Sequence, residues 1–342
     1  MGKSALFACA VLLVVILSGV TLAQEEQRRI GSIDYYGYAG LDLDRIKQAL
    51  PVHAGDKYPG PSATTEIINK TVTSVTGRTP SDVAPVCCDP NGNYMIYVGL
   101  PGASIKPTQL NPVPTGKRTF PPNIINLYKQ TMDALTASVL KGNSLEDSSK
   151  GYALSTSDQS LRAKQLTVRA YAVAHEKLIR AVLDSSSDAQ QRLVAAYLLG
   201  YARQSDRQIS YLVHASHDVD DGVRNNATRA LGVLAESSEK VAARIPATGF
   251  IDMLSSGSWT DRNKAGWVLT SLTKARDPKL LAQLRAEALP SLIEMARWRN
   301  AGHAYSARIL LARIAGVTEE RARQLANATD GEEVIKELGF RN

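Results

Sequence analysis

Two hydrophobic periodicities divide this chain. Before residue 100 the apolar positions come in short runs. RIGSIDYYGYAGL reads as a strand with Ile30 and Ile33 near its start, and LDLDRIKQAL puts Leu43, Ile46 and Leu50 on one helical face that Pro51 ends. SATTEIINKTVTSVTG gives a second amphipathic helix through Ile67, Ile68, Val72 and Val75, closed by Gly77. VAPVCC and YMIYV then read as strands around the turn residues DPNGN. The order is strand, helix, helix, strand, strand: a small α+β module over residues 24–100. Residues 101–123 hold Pro101, Pro107, Pro112, Pro114, Pro121 and Pro122 with Gly102 and Gly116, which precludes a helix and reads as a connecting segment.

After the connection the period becomes that of a helix. NIINLYKQTMDALTASVLKG carries Ile125, Tyr128, Met132, Leu135 and Val139 on its apolar side and stops at Gly142. A polar stretch separates it from LRAKQLTVRAYAVAHEKLIRAVL, and beyond that no strand is expected. Aligning the later helices on a small residue brings Ala195, Ala227, Ala265 and Ala307 into register at steps of 32, 38 and 42 residues. Four positions on, Leu199, Leu231, Leu269 and Leu311 agree as well. Alanine and leucine at that spacing share a face, the first admitting a neighbouring helix and the second filling its groove. Ile245 with Pro246, and Leu289 with Pro290, each precede a short apolar segment, so each proline is expected in a first helical turn. The unit is two helices and a turn, and such units bury their faces by stacking.

Composition changes this picture in three places. Lys3, an apolar run from Ala5 to Val20, and Thr21, Leu22 and Ala23 before Glu25 have the form of a secretory signal peptide over residues 1–23, giving an exported protein, periplasmic or secreted; an uncleaved membrane anchor is the alternative. The formal charge of +7 comes from 40 basic and 33 acidic residues, dispersed along helices rather than clustered, and this argues against a nucleic-acid partner. Beyond the leader only Cys87 and Cys88 remain. Neighbours on a strand point to opposite faces, so these two are expected to pack in the strand and to offer no ordinary disulfide framework.

The second half resembles the HEAT-repeat family, through DAQQRLVAAYLLG, DDGVRNNATRALGVLA and WTDRNKAGWVL. The resemblance implies a right-handed superhelical all-α solenoid over residues 124–342, making the protein mainly α. It also implies a ladder between stacked units, of Asp near each turn and Arg in the following helix: Asp188 with Arg192, Asp220 or Asp221 with Arg224, and Asp261 with Arg262, the Asp capping a helix start and the Arg binding carbonyls or carboxylates next door. The fourth unit has Ala304 where Arg is expected, as an atypical terminal unit would. The first module is similar to a POTRA module, through Ile33, Gly37, Leu43, Ile46, Leu50, the turn at Ala54 to Asp56 and the closing hairpin. That resemblance implies binding of a partner along an open sheet edge.

Catalytic spacing is absent from the sequence: it shows no nucleophile elbow, no phosphate-binding loop and no dinucleotide glycine pattern. His214 and His217 lie three apart on a helix end, but no third metal ligand is fixed by spacing. Trp259 in a turn, and Trp298 between Arg297 and Arg299, have the composition of an interface and are the candidate partner-binding residues. The expectation is therefore a non-catalytic, exported scaffold that binds a protein or peptide, with no cofactor, metal or nucleic acid and no membrane span in the mature chain. The alternatives are a hydrolase or lyase with a site in the polar segment 143–160, or a nucleic-acid-binding helical array.

Overall fold

The computed structural model describes residues 28–143 and 145–340, and the expected signal peptide lies outside them. The first module contains β1 (Ile30–Tyr36), α1 (Leu43–Ala49), α2 (Pro61–Thr76), β2 (Asp82–Cys87) and β3 (Tyr94–Gly99), in the order read from the sequence. The sheet runs β1-β3-β2, with β1 parallel and β2 antiparallel to β3. Local chemistry sets the ends of these elements. Asp42 accepts the Arg45 amide to start α1, Gly77 takes the left-handed conformation that closes α2, and Asp89 accepts the amides of Asn91 and Asn93 to shape the hairpin.

Alternation along the central strand explains why YMIYV is apolar throughout. Ile96 and Val98 face α1 and α2 in a core with Ile33, Ile46, Ile68 and Val72. Met95 and Tyr97 face the other way and, with Tyr36, join the large core of the helical half. The sheet is thus covered on both faces. A register shift between Ile30 and Ser32 lets Ile30 and Ile33 share the first core, while Asp34 and Tyr36 fall on the second face.

The helical half begins with α3 (Pro122–Leu140) and α4 (Gln159–Ser185), joined by a short hairpin of β4 (Glu146–Asp147) and β5 (Leu154–Ser155). Then come α5 (Ala189–Leu199), α6 (Asp206–Ala215), α7 (Asp221–Ser237), α8 (Glu239–Ala242) and α9 (Thr248–Met253). The rest are α10 (Trp259–Leu272), α11 (Pro278–Ala296), α12 (Ala301–Ile314), α13 (Glu319–Ala326) and α14 (Gly331–Glu337). Helices α5, α7, α10 and α12 form a row, each packed on the next, and they are the four that carry the aligned alanines and leucines. All eight of those residues have no measurable exposure. Small residues keep the seams close: a methyl on Gly200 would lie 2.8 Å from the Ala230 Cβ, and one on Gly266 3.1 Å from the Ser306 Cβ.

Buried arginines tie the row together by binding carboxylates and carbonyls beyond their own helix, and only the pairing of each Arg with the Asp at its own helix start is corrected. Arg192 reaches forward to Asp218, donating from Nε at 2.7 Å and Nη2 at 2.8 Å; Arg224 reaches Asp261 at 2.9 Å and Arg262 reaches Glu294 at 3.1 Å. Each also donates to a carbonyl six residues upstream, at Ser186, Asp218 and Ser256 respectively. Asp188 and Asp220 cap their own helices by accepting amides, as expected of an Asp at a helix start, and Asp221 sits exposed in a first turn outside the ladder. A side chain that accepts its own N-terminal amides is held at that end, whereas arginine is long enough to cross to the next unit. In α12 the row continues through Arg308, which donates to the carbonyls of Ala296, Trp298 and Ala328.

Three further expectations are corrected. Pro290 lies inside α11 rather than in a first turn, and Pro278 occupies the start of that helix. Proline removes one intrahelical donor there, the one that would reach the Ala286 carbonyl. Strand structure occurs within the segment expected to be all-α, at β4 and β5. Cys87 and Cys88 are joined by a disulfide; Cys87 is the last residue of β2, so strand alternation does not govern its neighbour.

The proline-rich segment follows the array backwards. Ser104 donates to Glu294, the Lys106 amide to the Ser255 carbonyl, the Asn111 amide to the His217 carbonyl and the Phe120 amide to Gln191, while the Gly116 carbonyl accepts the Ser187 amide. It is a strap across successive turns. Proline suits it because an extended strand with few N–H groups can lie on folded structure and leave few donors unpaired.

Candidate binding cleft

The first module docks on the far end of the row through its second sheet face. Tyr97 stacks on Trp259 with centroids 4.9 Å apart and meets Trp298 edge-on at 5.1 Å. Its hydroxyl and His303 Nδ1 share a hydrogen bond of 2.5 Å. Burial holds the His303 imidazole down at about 4, so it is neutral at ordinary pH. The Arg262 guanidinium lies over the Tyr36 ring at 4.7 Å. Glu294, the last acid of the ladder, accepts the amides of Gly37 at 2.7 Å and Tyr38 at 3.1 Å. Beside β1, Trp298 Nε1 donates to the Tyr35 carbonyl at 3.3 Å, and the Arg299 amide to the Asp34 carboxyl at 3.1 Å.

This contact places the four candidate residues. Trp259 and Trp298 are 7% and 1% exposed, so the interface that their composition announced is one within the chain. Arg297 is half-buried; it donates to the Tyr38 hydroxyl at 2.9 Å and pairs with Glu332. Arg299 is exposed. Arg297, Trp298 and Arg299 together line a cleft of about 510 Å³, whose opposite wall comes from the first module and includes Asp34, Tyr38, Lys47 and His53. Asp330 and Glu332 complete its floor from the start of α14.

Asp34 is the unusual group in this cleft. Its carboxyl is 5% exposed, and burial raises it to about 6 against the pull of the Arg299 amide and the Ser32 hydroxyl. The cleft therefore carries cations at its rim, from Lys47 and Arg299, over a carboxyl whose charge is costly. Sequence reasoning missed Asp34, Tyr38 and Glu294. Asp34 had a signal: it is a lone acid in an otherwise apolar and aromatic strand, SIDYY.

The other candidates have structural partners. His214 and His217 lie beside the strap, where Asn111 Nδ2 donates to the His214 carbonyl at 2.8 Å and the His217 carbonyl accepts the Asn111 amide at 2.7 Å. Among the described residues no three His, Cys, Asp or Glu side chains are grouped to hold a metal ion. In the polar segment, Glu146 pairs with Arg229 and accepts from Gln165, and Ser148 donates to Glu236. No helix among the described residues is long and apolar enough to cross a membrane.

No protein-family model matches the chain, and no curated protein matches it. Among solved structures, the crystal structure of an engineered protein aligns at 17% identity and a TM-score of 0.38, over 54% of this chain and 84% of that one. A likeness of that size carries no argument about fold or function.

Proposed function

We propose that this protein is an exported, non-catalytic scaffold that binds a protein or peptide, built as a HEAT-like solenoid closed at one end by a POTRA-like module. The solenoid reading is supported by the row of helices with alanine and leucine at every seam and a buried arginine crossing each of three successive seams. Export rests on the leader-like pattern of residues 1–23.

One observation carries the binding reading: the cleft that holds Arg297, Trp298 and Arg299 has walls from both modules, locked together through Glu294. A preorganised cleft of mixed charge at a module junction is where a partner loses least in ordering the protein.

The test is site-specific photo-crosslinking in the native host, with the reactive group at position 299, 47 or 279. Lys279 is at the opposite end of α11, roughly 25 Å from the cleft at 1.5 Å per helical residue. The same partner captured from 299 and 47, but not from 279, supports the reading. Capture of nothing, or equal capture from all three positions, contradicts it.

A further inference from the structure

Separate from the cleft, a cavity of about 460 Å³ opens on the row of helices between α7, α10 and α12. Its wall includes Lys264, Trp267, His303, Tyr305 and Ser306, with Glu236 at one side. None of these was a candidate site residue in the sequence, yet they follow its register. Lys264 and Ser306 directly precede the aligned Ala265 and Ala307, and Trp267 lies two positions beyond Ala265.

Lys264 is half-buried and has no hydrogen-bond or ion-pair partner among the described residues. The nearby cation Arg229 is already paired with Glu146. Glu236 is engaged too, accepting from the Ser148 hydroxyl at 3.0 Å and from Trp267 Nε1 at 3.4 Å. The indole is held in place from below. A methyl on Gly232 would come within 2.7 Å of the Trp267 ring, so the ring lies flat on the α7 backbone only because that residue is glycine. The cavity thus presents an ammonium with no hydrogen-bond or ion-pair partner among the described residues, beside a fixed aromatic plane and a neutral imidazole, with the Glu236 carboxylate at one side.

We propose that this cavity binds a monocarboxylate carried on an apolar or aromatic body, with the carboxylate on Lys264 Nζ and the body against Trp267. A single negative charge fits the single free cation, and Glu236 disfavours a second. The volume is that of a small-molecule or one-to-two-residue site. Burial and the neighbouring Arg229 bring the Lys264 ammonium down to about 8, so it is charged at neutral pH, and an anion that desolvates with it replaces water as its partner. The carboxylate could come from a free acid or from the end of a peptide chain, and the two sources are separable by experiment.

Titration of the full chain with phenylacetate, and with a short peptide ending in a free C-terminal phenylalanine, would be followed by Trp267 fluorescence and by calorimetry. Phenylacetamide and the C-terminally amidated peptide are the controls. Binding of either acid, at least about tenfold tighter than its amide and lost by about the same factor in Lys264→Met, supports the proposal. Binding of phenylacetate alone names a free acid as the source, and binding of the peptide alone names a chain terminus. The affinity should also weaken as pH rises through 8. Trp267→Phe removes the fluorescence change but keeps the calorimetric signal, and thermal melts confirm that each variant folds. Acids and amides binding equally, Lys264→Met binding as well as wild type, or no binding of either acid at millimolar concentration overturns it.

Discussion

Arg262 and Glu294 meet at 3.1 Å in the interior, with side chains 0% and 4% exposed, and the same carboxylate accepts the amides of Gly37 and Tyr38. One acid therefore ends the arginine ladder and anchors the first module. Burial works to pull the Arg262 guanidinium down while Glu294 works to keep it charged, so the pair depends on both members.

Glu294→Ala should cost about 3–5 kcal/mol, because it leaves a buried cation without its counter-charge. The double variant Arg262→Met, Glu294→Leu should be markedly less destabilised than that single change. Replacing Arg321, whose pair with Glu337 is nearly half exposed, should change stability by no more than about 1 kcal/mol. Urea unfolding of the variants checks all three. A double variant destabilised as much as Glu294→Ala, or more, would contradict the coupling.

At the seams, Leu231→Ala should cost about 2–5 kcal/mol by opening a cavity, and Ala227→Leu about 1–3 kcal/mol by overpacking. Both positions are fully buried between neighbouring helices, so a thermal shift typical of a surface site at either one would contradict the packing described.

Acid stability separates two buried groups. Asp34 is raised to about 6, so the folded state holds its proton more tightly than the unfolded chain does. That contribution is fully present below about 3.8 and is lost as pH rises through 6, a span worth roughly 3 kcal/mol. His303 acts in the opposite direction. It is lowered to about 4, so its contribution is present above 6.5 and is lost as pH falls toward 4. The two partly cancel in the wild type. Asp34→Asn should therefore gain stability at pH 7 relative to pH 4, and His303→Gln should flatten the acid limb. Identical pH profiles for wild type and both variants would contradict the burial of these groups.

The seams were legible in the sequence because a helix repeats its face every few residues, so Ala195, Ala227, Ala265 and Ala307 announce themselves by spacing alone. The ladder was legible only by residue type. The family pattern, carried over residue by residue, paired Asp188, Asp220 or Asp221, and Asp261 with the arginines that follow them, but adjacent residues such as Asp261 and Arg262 point in different directions around a helix. The real partners lie 26, 37 and 32 residues downstream. Trp298 with its arginines has the composition of an interface, but composition cannot say that the surface it meets belongs to the same chain, where Trp259 and Trp298 are buried. The strap was hidden for a related reason. Its hydrogen bonds are made by backbone groups, which leave no trace in residue identity, so residues 101–123 read only as a connection.

Amide hydrogen exchange at Gly37 and Tyr38 tests the central claim most directly, which is that the ladder runs through Glu294 into the first module. In the wild type those two amides should exchange as slowly as those in the middle of α10, and in Glu294→Gln they should become fast while α10 stays protected. Fast exchange at Gly37 and Tyr38 in the wild type, or no change on substitution, would show that the two modules are not joined there.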